Sequence, residues 1–134
     1  MKLTISNDYG LEEGRVEQIR SSAEFAFKYL GIEHADISVV ILIDDMADGL
    51  NGMLIDESLT DYLIVLEGNR GLGDIVKTMF HECVHIKQHL RDGLGAKLDK
   101  MKHIPYLERE WEMEANRESV NMVLEYLKQI EERV

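Results

Sequence analysis

The sequence predicts an α+β domain: a small, mostly antiparallel sheet with an N-terminal helix, a second helix in mid-chain and a long C-terminal helix. Three observations carry that expectation. The run Ile37-Ser38-Val39-Val40-Ile41-Leu42-Ile43 is β-branched and apolar, as a central strand requires. Longer segments on either side of it repeat apolar residues at helical spacing. Clusters of Gly, Asn and Asp separate these elements. The 134 residues suit one domain, 1–134, with a real core.

Residues 1–6 alternate like a short strand, with Leu3 and Ile5 on one side and Lys2, Thr4 and Ser6 on the other. Leu11 to Leu30 has Val16, Ile19, Ala23, Ala26, Phe27 and Leu30 at helical intervals, and Gly31 suits the position after a helix end. After the central strand, Asp48-Gly49-Leu50-Asn51-Gly52 signals a turn. Met53 to Ile55 and Tyr62 to Leu66 read as two further strands, joined by a polar stretch. Gly68 to Gly73 is a loop leading into a helix that ends before Arg91-Asp92-Gly93. Ala96 to Ile104 has no clear pattern, and Pro105 suits the first turn of a last helix that runs to about Glu132.

Composition narrows the function classes. No apolar run approaches a membrane span, so no membrane partner is expected. The net charge of −11 opposes nonspecific nucleic-acid binding, which depends on Lys and Arg neutralising phosphates. A single Cys excludes an internal disulfide and fits a reducing compartment. The short, polar N-terminus does not read as a secretory signal. These features together predict a cytoplasmic protein. The oligomeric state is left open.

The middle helix carries His81-Glu82-Cys83-Val84-His85, an H-E-x-x-H arrangement. Successive helical residues advance by about 100°, so His85 falls about 40° from His81 and Glu82 about 100°. Both imidazoles can therefore reach one zinc ion, and the carboxylate stands beside them to take a proton from an activated water. Leu72, Ile75, Val76, Met79, Cys83, Ile86 and Leu90 gather on the opposite side. The helix is thus expected to dock by that stripe, with Cys83 as a small core residue and not a ligand.

A catalytic zinc usually has three protein ligands. A third His ten residues after the first is excluded, because that position is Arg91. His89 shares the motif face but lies about 12 Å along the axis from His81, which suits a pocket wall or a solvated residue. The better candidate is Glu112. On the last helix it shares an azimuth with Asn116, Ser119, Val123, Tyr126, Leu127 and Ile130, while Glu110 and Glu114 fall on the far side. Glu112 is therefore expected to point inward as the third ligand, with Asn116 orienting an imidazole from behind. The alternative is an acidic residue near a helix start, favoured by the macrodipole.

His81-Glu82-Cys83-Val84-His85 followed by Glu112-Met113-Glu114-Ala115-Asn116 resembles the gluzincin metallopeptidases. In several of those families the first Glu of E-x-E-A-D or E-x-E-A-N is the third zinc ligand. More narrowly, His81 to Gln88 with Trp111 to Ala115 is similar to a group of small phage and bacterial gluzincin-like proteins, whose pattern also has a Tyr that Tyr106 matches. The resemblance spans about residues 60–120. It departs at Asn116, where many gluzincins have Asp, and at Glu110, where the narrower pattern tends to have Pro. It implies a zincin-like fold and hydrolysis of a peptide or protein substrate, with Zn2+ held by His81, His85 and Glu112.

On that reading Glu82 is the general base, and Tyr106 or His103 could supply a second donor to the oxyanion. The strand holding Tyr62, Leu63 and Ile64 would lie at the cleft edge and pair with extended substrate. The competing function is a zinc-stabilised domain that binds a peptide or protein with little catalysis. An intact Glu82 favours hydrolysis, because a purely structural site needs no general base.

Overall fold

The computed structural model describes residues 1–46, 49–58, 60–92 and 105–132, with backbone alone at 92, 105–109 and 132. Its element order is β1 (Lys2–Asn7), α1 (Glu13–Tyr29), β2 (Ser38–Asp44), β3 (Gly52–Asp56), β4 (Asp61–Glu67), α2 (Leu72–Asp92) and α3 (Pro105–Glu132). The class is α+β, and the elements fall where hydrophobic periodicity and turn residues place them.

The sheet corrects one expectation. Its strand order is β1-β2-β4-β3. β1 pairs with β2 in parallel, β2 with β4 in parallel, and only β3 with β4 antiparallel. The sheet is mixed and mainly parallel, not mostly antiparallel. The connections explain this. Helix α1 carries the chain from the end of β1 back to the start of β2, and a strand–helix–strand crossover yields parallel neighbours. β3 then goes to the outer edge, and a short turn returns the chain as β4 between β3 and β2. Local strand patterns reveal neither step, because pairing partners depend on connection paths.

Every second residue along the inner strands enters the core. Val39, Ile41 and Ile43 on β2 and Tyr62, Ile64 and Leu66 on β4 are buried. Their registers align Val39 with Tyr62, Ile41 with Ile64 and Ile43 with Leu66. The helices cover this face. Ile19, Ala23, Ala26 and Phe27 of α1 and Ile75, Met79, Phe80, Cys83 and Ile86 of α2 join the same apolar cluster. Cys83 is fully buried there, as its wheel position predicts.

Two local devices set the helices. Gly31 has φ 73°, and the amides of Gly31 and Ile32 bond back to the carbonyls of Lys28 and Phe27. This left-handed cap stops α1 and turns the chain toward β2. At the loop before α2, the buried Glu67 carboxylate accepts the amides of Met46 and Asn69 at 2.5 and 3.0 Å. These donors hold its carboxyl below the usual range, and they tie the ends of β2 and β4 together just ahead of α2.

Gly52 brings the edge strand against α2. A Cβ there would lie 2.5 Å from Thr78 Cγ2 and 3.1 Å from the Val65 carbonyl oxygen. Gly52→Ala should therefore cost about 1–3 kcal/mol through overpacking. Adding Thr78→Ser, which removes the opposing methyl, should recover part of the loss. Thermal denaturation of the three proteins checks this, and wild-type stability for Gly52→Ala would show that β3 has room to move.

Candidate metal centre

Helix α2 is buried nearly all round in its middle third. Met79, Phe80, Cys83, Val84 and Ile86 meet the sheet and α1, while Glu82, His85 and Gln88 are buried although polar. His85 and Gln88 survive burial because α3 supplies partners across the α2–α3 seam.

Two imidazoles of α2 and one carboxylate of α3 converge at this seam. Nε2 of His81 lies 3.0 Å from Glu112 Oε2, Nε2 of His85 lies 2.8 Å from Glu112 Oε1, and the two Nε2 atoms are 3.1 Å apart. His81, His85 and Glu112 thus lie close enough to hold one metal ion, the one such group among the described residues. The one-turn spacing on α2 brings the imidazoles together, and α3 delivers the carboxylate from 31 residues further along the chain.

The electrostatics follow from this packing. The imidazole contacts of His81 and His85 hold the Glu112 carboxyl well below the usual carboxylate range. Burial opposes protonation of His85, but hydrogen bonds to Glu112 and Gln88 and the nearby carboxylates outweigh it, so its pKa is raised. Both ring nitrogens of His85 face acceptor oxygens, Gln88 Oε1 at 2.7 Å and Glu112 Oε1 at 2.8 Å, which suits the doubly protonated ring. Burial pushes the Glu82 carboxyl up, partly offset by His85 and His81. Burial also raises the Cys83 thiol, which leaves it inert.

An open cleft of about 610 Å³ runs along this face, lined by Asn51, Gly52, Arg70, Asp74, Lys77, Thr78, His81, Glu82, Asn116 and Ser119. His81 and Glu82 therefore look into a space bounded by the start of β3, the first turns of α2 and the middle of α3.

Several expectations need correction. Glu112 is not a buried carboxylate, since its side chain is 55% exposed. It reaches the imidazoles from the rim of the seam. The buried face of α3 centres on Ala115, Ser119 and Met122, and Leu127 and Ile130, assigned to that face by the wheel, are exposed. The buried face is rotated toward Ala115 and Met122, although Ser119, Val123 and Tyr126 of the expected face do pack inward; a second apolar set, Met113, Val120, Leu124 and Leu127, also follows helical spacing and lies outside. Periodicity alone could not rank the two faces.

The same rotation turns Asn116 into the cleft, where it is exposed and no hydrogen bond links it to either imidazole. The group behind His85 is Gln88. Its signal was its place three residues after His85, one turn along the same face. Glu114 is not a free surface acid either: Gln88 Nε2 donates to its Oε1 at 2.8 Å. Glu110 is exposed as expected.

The substrate strand is also misplaced. β4, with Tyr62, Leu63 and Ile64, is paired on both sides, and Tyr62 and Ile64 are buried, so its backbone is not free to add a strand. β3 is the edge beside α2. His89 stands apart from the trio, with Nδ1 3.9 Å from Asp56 Oδ2 and its ring against Tyr62. Tyr106 lies in the first turn of α3 with its side chain undescribed, and His103 falls outside the described residues.

In comparisons with known proteins, no family model, no curated protein and no solved structure matches the chain. The chemistry of the site therefore rests on its own geometry.

The pKa directions give a signed prediction for the metal-free protein. The raised pKa of His85 contributes stability below its ordinary value of about 6.5, and that stability is lost as pH climbs through the folded value. The lowered pKa of Glu112 contributes above its ordinary value of about 4.5 and is lost as pH falls. The cluster should therefore stabilise most between about pH 4.5 and 6.5. The melting temperature of the metal-free chain should drop between pH 6 and pH 8.5, and Glu112→Gln should flatten that drop; an equal drop in both proteins would remove the cluster as its cause.

Proposed function

We propose that this protein is a zinc-dependent peptidase of gluzincin-like, zincin-like character, with His81, His85 and Glu112 as metal ligands and Glu82 as general base. One observation carries the reading: two imidazole nitrogens of α2 stand 3.1 Å apart and each lies within 3.0 Å of a carboxylate oxygen of Glu112 on α3, beside a buried carboxylate that opens on the cleft.

The donor set fits zinc. Two atoms each about 2.0–2.1 Å from a tetrahedral ion stand roughly 3.3 Å apart; the two imidazole nitrogens are 3.1 Å apart and meet different Glu112 oxygens at 3.0 and 2.8 Å, with one donor atom from each residue within 4.8 Å of the others. Two neutral imidazoles and one carboxylate are also the ligand types of catalytic zinc sites. A zinc ion held there supplies Lewis acidity, lowering the pKa of water and polarising a carbonyl.

The remaining chemistry falls to the chain. Glu82 sits one residue after His81 on the same helix, turned toward the cleft. Its burial raises the carboxyl, which brings it nearer the neutral range where a general base works best. It takes the proton of the attacking water and returns it to the leaving amine. Gly52 and Asn51 line the cleft, so the unpaired side of β3 offers backbone groups to an extended peptide running past Glu82. A buried Glu82 beside the trio favours hydrolysis over a purely structural metal site, because its burial is costly and no ligand role needs it.

Two measurements test the proposal. Elemental analysis after zinc addition and desalting should give one zinc per chain in the wild type and much less for Glu112→Gln. Metal near zero in the wild type would sink the metal reading. Glu82→Gln should keep its zinc and lose hydrolysis of a mixed peptide pool by at least about 100-fold, the scale of a general base. Zinc bound with no hydrolysis by the wild type would leave the peptide-binding alternative instead.

A further inference from the structure

We infer that Gln88 and Glu114 are positioning residues for the metal centre: Glu114 orients the Gln88 amide, and Gln88 orients His85 so that its Nε2 lone pair faces the ligand triangle. The inference rests on the metal-binding reading above.

The polarity of the relay follows from its two ends. Gln88 Nε2 lies 2.8 Å from Glu114 Oε1 and 3.2 Å from the Trp111 carbonyl oxygen. Both are acceptors, so the nitrogen end of the amide belongs there. The oxygen end must then face His85, and Oε1 lies 2.7 Å from Nδ1. An amide oxygen only accepts, so Nδ1 carries a hydrogen. In a neutral ring that leaves the lone pair on Nε2, the atom beside His81 and Glu112. Gln88 is fully buried, so no solvent competes for its bonds. Glu114 is half-buried, and Arg91 Nη2 lies 3.8 Å from its Oε1.

The same amide has a second consequence. Trp111 and Glu114 bracket Glu112 in the sequence, so the two bonds from Gln88 hold the turn of α3 that presents the third ligand. Both the orientation of His85 and the reach of Glu112 depend on one side chain. Partners of this kind behind a ligand imidazole typically matter 10–100-fold for metal affinity.

The test measures zinc affinity by chelator competition, together with the imidazole N–H proton of His85 in zinc-loaded, ¹⁵N-histidine-labelled protein. Gln88→Leu should weaken zinc about 10–100-fold, and the slowly exchanging His85 Nδ1–H signal of the wild type should be lost or exchange fast. Glu114→Leu, at a half-exposed position that tolerates change, should weaken zinc several-fold and speed that exchange. The reversed pair Gln88→Glu with Glu114→Gln restores a donor facing an acceptor at the His85 contact and between positions 88 and 114, although not at the Trp111 carbonyl, and should recover part of the affinity lost in Gln88→Glu alone. A role limited to stability would lower the melting temperature and leave the N–H signal and the affinity of folded protein unmoved, which would overturn the inference; so would wild-type affinity and exchange in Glu114→Leu if Gln88→Leu fails to fold. A wild type that binds no zinc would sink the metal reading itself, a result distinct from zinc binding that ignores both substitutions.

Discussion

The seam between α2 and α3 is the interaction on which the candidate site depends. One helix can set two imidazoles a turn apart without help, because the spacing of His81 and His85 is a property of the helix. It cannot place a third group opposite them. Glu112 comes from a helix that starts beyond the described end of α2, and only the docking of the two helices brings its carboxylate within 3.0 Å of both rings. The seam is polar where it serves the site and apolar where it serves the fold. Ala115 and Met122 enter the core, while Gln88 spans the gap to Trp111 and Glu114.

That mixed character balances charge in a strongly acidic chain. Glu82, Glu112 and Glu114 crowd one end of the seam, and two imidazoles, an amide and Arg91 answer them. The opposing shifts of Glu112 and His85 have one origin: each stabilises the charged form of the other. Glu82 has no such close partner, so burial dominates and its carboxyl moves up instead. Two carboxylates at one seam, Glu82 and Glu112, thus shift in opposite directions through their surroundings alone.

The sheet contributes by location. Its inner strands give the apolar floor under α2, and its outer strand β3 approaches α2 so closely that position 52 has no space for a side chain. The cleft lies where that edge, the start of α2 and the flank of α3 meet. The buried Glu67 carboxylate, accepting two amides from separate loops, holds the strand ends that set the entry into α2.

The sequence by itself determined whatever depends on near neighbours along the chain. The seven elements of the described residues were legible because periodicity, Gly31 and the turn clusters act locally. His81, Glu82 and His85 were legible because a helix converts spacing into direction. Glu112 was identifiable as the acid of interest, but the reasoning that chose it over Glu114 misjudged the phase of α3, whose two apolar faces are equally periodic. Tertiary structure decided that Ala115 and Met122 join Ser119 on the inward face, that Asn116 gives way to Gln88 behind His85, and that Glu114 is engaged. It also decided that β4 is interior and that β3 is an edge strand among the described residues. The physical reason is common to all of these: which face is buried and which strand is paired are set by contacts between residues far apart in the chain, and no local pattern encodes them.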